Sequence, residues 1–467
     1  MSKKEKGGIN ISVKSFITAI VVIFILMVAS YLLTIFIPAG EYARVPDADG
    51  NMIIDINQGF SLATGGIPFW KWLLSPILVL TSSGNVTLIA VIAFLIVIGG
   101  IFTSLDRCGL MKYMLEKTVK RFGAVRYRLM AIVMLFFMAL GAMIGSFEEC
   151  VPLVPIVVAL SINLGWDALT GISMSLLAVG CGFASGVCNP FTVGVAQQLA
   201  GLPMFSGAWM RMLSFVLIYA LLFAFTFIYA KKKEKPISDV GTQNLSSADP
   251  KKDKALICFV SILGVGILTV LSSGFITALQ DYTMIIVAVM FLIAGIVSTL
   301  VSGMKAKDLG KTSLGGVVSI LPAVIMILMA SSIKYTLEEA HVLDTILHEA
   351  VSLAETMPSW SVILFIYLIV LVMNFFIPSG SAKAFMLIPL IVPMAQIFGI
   401  STQLCIVAFA FGDGFSNVFY PTNPALLISL GLADTSYGKW FKFSWKFQVL
   451  NLILTSALLL FGLTIGY

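Results

Sequence analysis

Charge is scarce in this sequence: Asp, Glu, Lys and Arg make up 11% of the chain, against about 25% in a soluble globular protein. That shortage excludes a soluble domain. Histidine occurs only twice, at His341 and His348, both outside the most apolar runs. Neither a histidine-based metal centre nor a Ser/His/Asp triad can therefore form in the apolar interior. The six cysteines include no C-x-x-C pair, so they read as reduced packing residues and not as a disulfide framework. Gly310-Lys311-Thr312 lacks the leading glycine of a phosphate-binding loop, which leaves no ATP-driven chemistry and no cofactor to expect. The net charge of +6 is scattered over short connectors, unlike the basic patch of a nucleic-acid binder.

What remains is apolar. Hydrophobic residues make up 59% of the 467 positions and the mean hydropathy is +1.02. The uncharged runs are about 17 to 25 residues long, the length of helices crossing a ~30 Å hydrocarbon core. The fold class is an all-α polytopic membrane protein, not an enzyme. Ser15 to Ile37 is too long for a signal-peptide core and reads as a retained first span. Pro68 to Leu80, which stops at Ser82-Ser83-Gly84, reads as interfacial or re-entrant, or as part of an ordinary span. Lys3, Lys4 and Lys6, with seven Lys against four acids in Lys231 to Lys254, place the N-terminus and this linker in the cytoplasm. The chain divides into 1–230, a linker 231–254, and 255–467.

The halves resemble each other. Val154-Pro155-Ile156 recurs as Ile388-Pro389-Leu390, Leu164-Gly165 as Phe398-Gly399, and Asn189-Pro190 as Asn423-Pro424 in the same register. Equivalent connectors carry opposite charge. Asp106 to Arg128 has seven Lys/Arg and two acids, while Lys334 to Thr356 has one Lys, five acids and both histidines. Both space apolar residues as surface-lying amphipathic helices do. Equivalent elements on opposite faces predict an inverted-topology repeat, an architecture of secondary transporters.

Each half also holds a polar tip between apolar arms: Gly145-Ser146-Phe147-Glu148-Glu149 and Pro378-Ser379-Gly380-Ser381-Ala382-Lys383. Arms of about 15 residues fall short of the ~20 needed to cross, so the tips read as re-entrant hairpins, the alternative being full spans joined at the surface. Each half then breaks a helix, at Gly186 to Thr192 and at Gly412-Asp413-Gly414 with Tyr420 to Pro424, because proline and the residue before it leave the helix. Asp167 reads as an N-cap. Such breaks bring helix N-termini and carbonyls together at membrane depth, a site for a substrate carboxylate and for Na⁺ or a proton. The candidate site residues are Ser146, Glu148, Glu149, Asn189, Pro190, Thr192, Ser379, Gly380, Ser381, Lys383, Thr422 and Asn423. Glu148, Glu149 and Asp413 are the ion-coupling candidates, with no metal site beyond Na⁺ at the tips. Intramembrane charges are functional by default. A glutamate could hold an ammonium group or a proton, and Lys383 a substrate carboxylate. The other reading pairs Lys383 structurally with a glutamate, and Asp413 with a helix end.

Glu148-Glu149 with Asn189-Pro190-Phe191, Pro378 to Ala384, Ala410 to Asn417, Pro421-Thr422 and Tyr437 to Phe443 resemble the YfcC family, related to the anaerobic C4-dicarboxylate carriers of the ion transporter superfamily. The resemblance spans essentially the whole chain. It implies a bacterial inner-membrane carrier, a homodimer working as an elevator with a coupling ion or counter-solute. Its members are commonly labelled basic amino-acid antiporters, with dicarboxylates and short-chain fatty acids among relatives' substrates. A lysine at the second tip favours carboxylate-bearing solutes over purely cationic ones. Amino acids are the first expectation and C4-dicarboxylates the alternative.

Overall fold

The computed structural model describes residues 13–46, 52–55, 59–82, 85–145, 147–235, 249–273, 283–354 and 357–467. Lys3, Lys4, Lys6, the Ser83-Gly84 break, Ser146 and most of the polar linker lie outside the described residues.

Long apolar runs become helices because a helix satisfies its main-chain groups internally, as hydrocarbon requires. The expected first span is the helix α1 (Val13–Phe36), whose stretch Ile20–Phe36 is apolar but shorter than the helices long enough to cross a membrane. A small β element follows that an all-α reading did not include. Strand β1 (Gly40–Tyr42) pairs antiparallel with β4 (Phe60–Leu62), and β2 (Arg44–Pro46) with β3 (Met52–Ile54). The run after it is broken into α2 (Phe69–Leu73) and α3 (Ser75–Leu78), too short to span, with the Trp72 indole donating to the Met27 carbonyl at 3.1 Å.

The first half then runs α4 (Asn85–Arg107), α5 (Leu110–Phe122), α6 (Arg126–Ile144), α7 (Val154–Asn163), and α8 (Ala168–Ile172), which passes through a π turn into α9 (Ala178–Ser185). It ends with α10 (Val195–Leu199) and α11 (Ala208–Lys233). After α12 (Pro250–Ser273) and α13 (Thr283–Val301), the same order returns. It comprises α14 (Ala306–Glu339), α15 (Leu343–Ala354), α16 (Ser359–Phe376), α17 (Gly380–Ile397), α18 (Thr402–Asn417), α19 (Pro424–Leu432) and α20 (Tyr437–Thr464). Helices α5 and α15 are shorter than their charged stretches suggest, because Asp106 and Arg107 finish α4 and Lys334 to Glu339 finish α14.

Among the described residues, five helical stretches are long and apolar enough to cross a membrane. The most apolar 18 residues of Ala168–Leu199 are 94% buried, while those of Ala208–Lys233 are only 22% buried. The broken helix is therefore central, and α11 presents its apolar surface outward, as a lipid-facing helix does. Helix α9 packs on α18, α6 on α9, and α16 on α18. The helices after the breaks cross over: α10 packs on α17, while α19 packs on residues 148–153 and α7.

Two expectations need correction. The first arm opens as a 3-10 turn over Glu148–Leu153, because Pro152 lacks an N–H and disfavours α geometry at Val151. Its helix α7 has 10 residues, about 15 Å of rise. The second arm is longer than expected, since α17 starts at Gly380 and runs 18 residues through Pro389 and Pro393. Gly412-Asp413-Gly414 does not break α18, which is continuous to Asn417. Those glycines serve close packing: a Cβ on Gly412 would lie 2.6 Å from Val370 Cβ, and one on Gly414 2.2 Å from Ala184 Cα.

Candidate functional site

The two Asn-Pro pairs restart the interrupted helices. Asn189 Oδ1 accepts from the Phe191 and Thr192 amides at 3.0 and 3.3 Å, and Asn423 Oδ1 from the Ala425 and Leu426 amides at 2.9 and 3.3 Å. Each asparagine supplies an N-cap, and each proline fills a first-turn position where no donor is needed. The carbonyls beside the breaks also find partners. Arg211, wholly buried, donates to the Val187 carbonyl through Nε at 3.4 Å and Nη2 at 3.3 Å. In the second half, Gln448, Trp440 and Tyr437 donate to the carbonyls of Phe415, Val418 and Phe419 at 3.2, 2.8 and 3.0 Å. These carbonyls are thus already engaged by side chains of α11 and α20.

The tips lie against the breaks. Gly145 ends α6 with φ of 76°, and a Cβ there would fall 2.3 Å from Asn189 Oδ1. Only glycine fits both the left-handed backbone and that approach. At the second tip, a Cβ on Gly380 would fall 2.3 Å from Thr192 Cγ2 and 2.6 Å from Asp413 Oδ2. The second tip therefore touches the break of the first half. Ser379, exposed, is the N-cap of α17 but makes no side-chain cap. The first-turn amides of α17 thus have no capping side chain, the condition in which a helix start attracts an anion. Four buried polar atoms along these segments have no hydrogen-bond partner: Asn189 Nδ2, Thr192 Oγ1, Thr422 Oγ1 and Asp413 Oδ2. Leaving such atoms unsatisfied is costly, and Thr192 and Asp413, which both meet Gly380, make this a candidate place for a polar guest.

Lys383 is wholly buried. Its ammonium donates to Asp413 Oδ1 at 2.6 Å, to the Ile377 carbonyl at 3.1 Å and to Asn374 Oδ1. These bonds use the three donors of an ammonium group. The structural partner is Asp413 and not a glutamate, and Lys383 has no donor left for a substrate carboxylate. The network continues through α18. Asn374 Nδ2 reaches Ser416 Oγ at 2.6 Å and Asn417 Oδ1 at 3.1 Å, and Asn417 Oδ1 accepts from Asn423 Nδ2 at 3.0 Å. A continuous polar chain thus joins the second tip to the second break.

The structure gathers Asn189, Thr192, Gly380 and Asp413 around the tips, with Ser379 exposed and Ser381 half-buried beside them. Glu148 and Glu149 stand half-buried on the turn that meets α19. Pro190, Thr422 and Asn423 are buried at the breaks. Asp167 caps α8, its Oδ1 accepting from the Thr170 amide at 2.9 Å. The residues that sequence reasoning missed are Asn374, Asn417 and Arg211. A lone amide and a lone guanidinium inside apolar runs were the signal for Asn374 and Arg211. No cluster of three or more His, Cys, Asp or Glu able to hold a metal occurs among the described residues.

These features define a multi-pass helical membrane protein with two interrupted helices meeting two polar tips. The chain belongs to the DcuC family, the C4-dicarboxylate anaerobic carriers, whose family model matches residues 16–464. It is a membrane transporter of the secondary type, not an enzyme. It is 28% identical over 402 residues to YfcC of Escherichia coli (strain K12), provisionally named a basic amino acid antiporter, covering 82% of this chain and 79% of that protein. It is 26% identical over 302 residues to a citrate transporter of Bacillus subtilis (strain 168), covering 63% of this chain and 68% of that one. Among solved structures, the YdaH transporter of Alcanivorax borkumensis aligns with a TM-score of 0.44 at 18% identity, covering 97% of this chain and 99% of YdaH. MtrF of Neisseria gonorrhoeae, from a class of antimetabolite efflux pumps, aligns with the same score and identity over 96% of this chain and 94% of MtrF.

Proposed function

We propose that this protein exchanges amino acids across the bacterial inner membrane by alternating access between two inverted halves, 1–230 and 255–467, joined by the 231–254 linker. The substrate carboxylate sits at the start of α17, on Ser379, Gly380 and Ser381, with Thr192 beside it. The amino group, or a coupling proton, sits at Glu148 or Glu149. The hairpin-bearing part moves as an elevator against the outer helices, in a homodimer with the N-terminus in the cytoplasm.

The observation that carries the amino-acid reading is the engagement of Lys383 by Asp413. With that ammonium neutralised inside the protein, the tips offer one helix start for an anion and a pair of glutamates for a cation. A zwitterion fits that arrangement better than a dicarboxylate, which brings a second negative charge towards Glu148 and Glu149. The relation to a carrier provisionally named for basic amino acids agrees. The second reading, a C4-dicarboxylate or short-chain fatty acid carrier, is favoured by the family description and the citrate-transporter relative.

A thermal-unfolding screen of detergent-purified protein separates them, since a ligand that binds only the folded state raises its stability. Stabilisation by arginine, ornithine or another amino acid, followed by counterflow that falls in Glu148→Gln or Glu149→Gln, supports the first reading. Stabilisation by succinate or fumarate alone overturns it.

A further inference from the structure

Nothing about helix formation asks for a lysine at position 383. It lies in the first turn of α17, where the helix dipole disfavours a positive charge, and it is wholly buried, where an unpaired charge is expensive. Its surroundings account for it. The ammonium nitrogen is held by three oxygens: the Asp413 carboxylate at 2.6 Å, the Ile377 carbonyl at 3.1 Å and the Asn374 side-chain oxygen. Ile377 is the C-cap of α16, so its carbonyl lies at the negative end of a helix. A carboxylate, an amide oxygen and a helix-terminal carbonyl form the all-oxygen donor set that suits a hard cation.

The register of the repeat shows that this cage is particular to the second half. Val154 aligning with Ile388 puts Glu149 opposite Lys383, Leu140 opposite Asn374 and Val179 opposite Asp413. The first half has neither the ammonium nor the amide and carboxylate that surround it.

We propose that the Lys383 ammonium is a tethered cation permanently filling a sodium-type oxygen site at the second tip, and that removing its side chain opens this site to free Na⁺. The second tip then needs no Na⁺ to neutralise Asp413, so transport draws on a proton or a counter-solute. That last consequence rests on the transport reading, whereas the site itself is testable without any substrate.

The test is thermal unfolding of the detergent-purified full chain in NaCl, KCl and choline chloride at constant ionic strength, for wild type, Lys383→Ala and Lys383→Ala/Asp413→Asn. The expected result is a midpoint for Lys383→Ala that rises with the logarithm of Na⁺ concentration. Wild type and the double variant should give the same midpoint in all three salts. Equal midpoints for Lys383→Ala in the three salts would overturn the proposal, as would a Na⁺ response of wild type as large as the variant's. Should Lys383→Ala be too unstable in choline, the smaller polar change Lys383→Ser is measured in the same way. Folding rescued by Na⁺ supports the cage, and failure of both variants to fold in every salt refutes it. In proteoliposomes, exchange by wild type should keep its rate when choline replaces Na⁺ on both sides, and a rate that follows Na⁺ counts against the proposal. Absence of exchange of any solute, with the stability results intact, would fault the transport reading and not the cage.

Discussion

The contact between the second tip and the first break makes a quantitative prediction at Gly380. An added methyl would meet Thr192 Cγ2 at 2.3 Å and Asp413 Oδ2 at 2.6 Å, both shorter than any real Cβ contact. Both neighbours are wholly buried, so neither can swing away freely. Overpacking of this kind costs about 1–3 kcal/mol, and the tip must back away from the break. Thr192→Ser removes one of the two clashing atoms at the cost of one buried methyl, about 0.5–1.5 kcal/mol by analogy with Ile→Val. The double variant Gly380→Ala/Thr192→Ser should therefore be less destabilised than the sum of the singles, with a coupling of about 0.5–2 kcal/mol. The rescue is partial, because Asp413 still meets the new methyl. Denaturant unfolding in detergent gives the four corners of the cycle, and counterflow reports whether the tip regains its place. Additive stabilities within about 0.3 kcal/mol would refute the contact.

Two further outcomes follow from local geometry. Asn189→Ala and Asn423→Ala each remove an N-cap worth about 0.5–2 kcal/mol, and Asn423→Ala should be the costlier because it also removes one of the two donors to Asn417 Oδ1. Equal losses in urea titrations would contradict the polar chain through Asn417. Outside the spans, the Tyr42 hydroxyl is pushed up to about 12 by burial and by the Asp344 carboxylate nearby. A pKa raised in the folded state means that the unfolded tyrosine ionises first. The stability associated with neutral Tyr42 is thus complete below about pH 10 and is lost as pH climbs towards 12. Comparing Tyr42→Phe with wild type over that range should show a flatter alkaline decline in the variant, and identical slopes would exclude Tyr42 as the cause.

What was legible in the sequence was whatever a few adjacent residues decide. Asn189-Pro190 and Asn423-Pro424 announce helix restarts because the cap bonds and the missing proline donor act within three residues. Asp167 is local in the same sense, and the repeated order of elements follows from the registered motifs. Residues whose meaning depends on a distant neighbour were read less well. Gly412 and Gly414 look like a break in one dimension, yet they let α18 approach α16 and α9. The 30-residue separation between Lys383 and Asp413 gives no pattern that would favour this aspartate over Glu148 or Glu149. The β element was invisible for a different reason: strands of three residues are too short for alternation to register.

On the proposed amino-acid reading the same pair sets which substrate the tips prefer, and that gives a sharper test than loss of function. In wild type Asp413 neutralises Lys383 inside the protein, and on the proposed reading the anion meets the second tip at the start of α17. Asp413→Asn keeps the size of the side chain and removes its charge. Lys383 is then a buried ammonium held only by neutral oxygens, a state that costs about 3–5 kcal/mol when one partner of a buried pair is deleted. An external carboxylate reaching the tip can supply the missing charge. A dicarboxylate gains most, since one carboxylate can occupy the start of α17 while the other turns towards Lys383 and away from Glu148 and Glu149. Asp413→Asn should thus lose intrinsic stability but show a larger succinate-induced rise in its unfolding midpoint than wild type, with arginine losing ground relative to succinate. If succinate stabilises wild type and variant equally, the Lys383–Asp413 pair does not set substrate charge, and the choice between amino acid and dicarboxylate lies with the glutamates of the first tip.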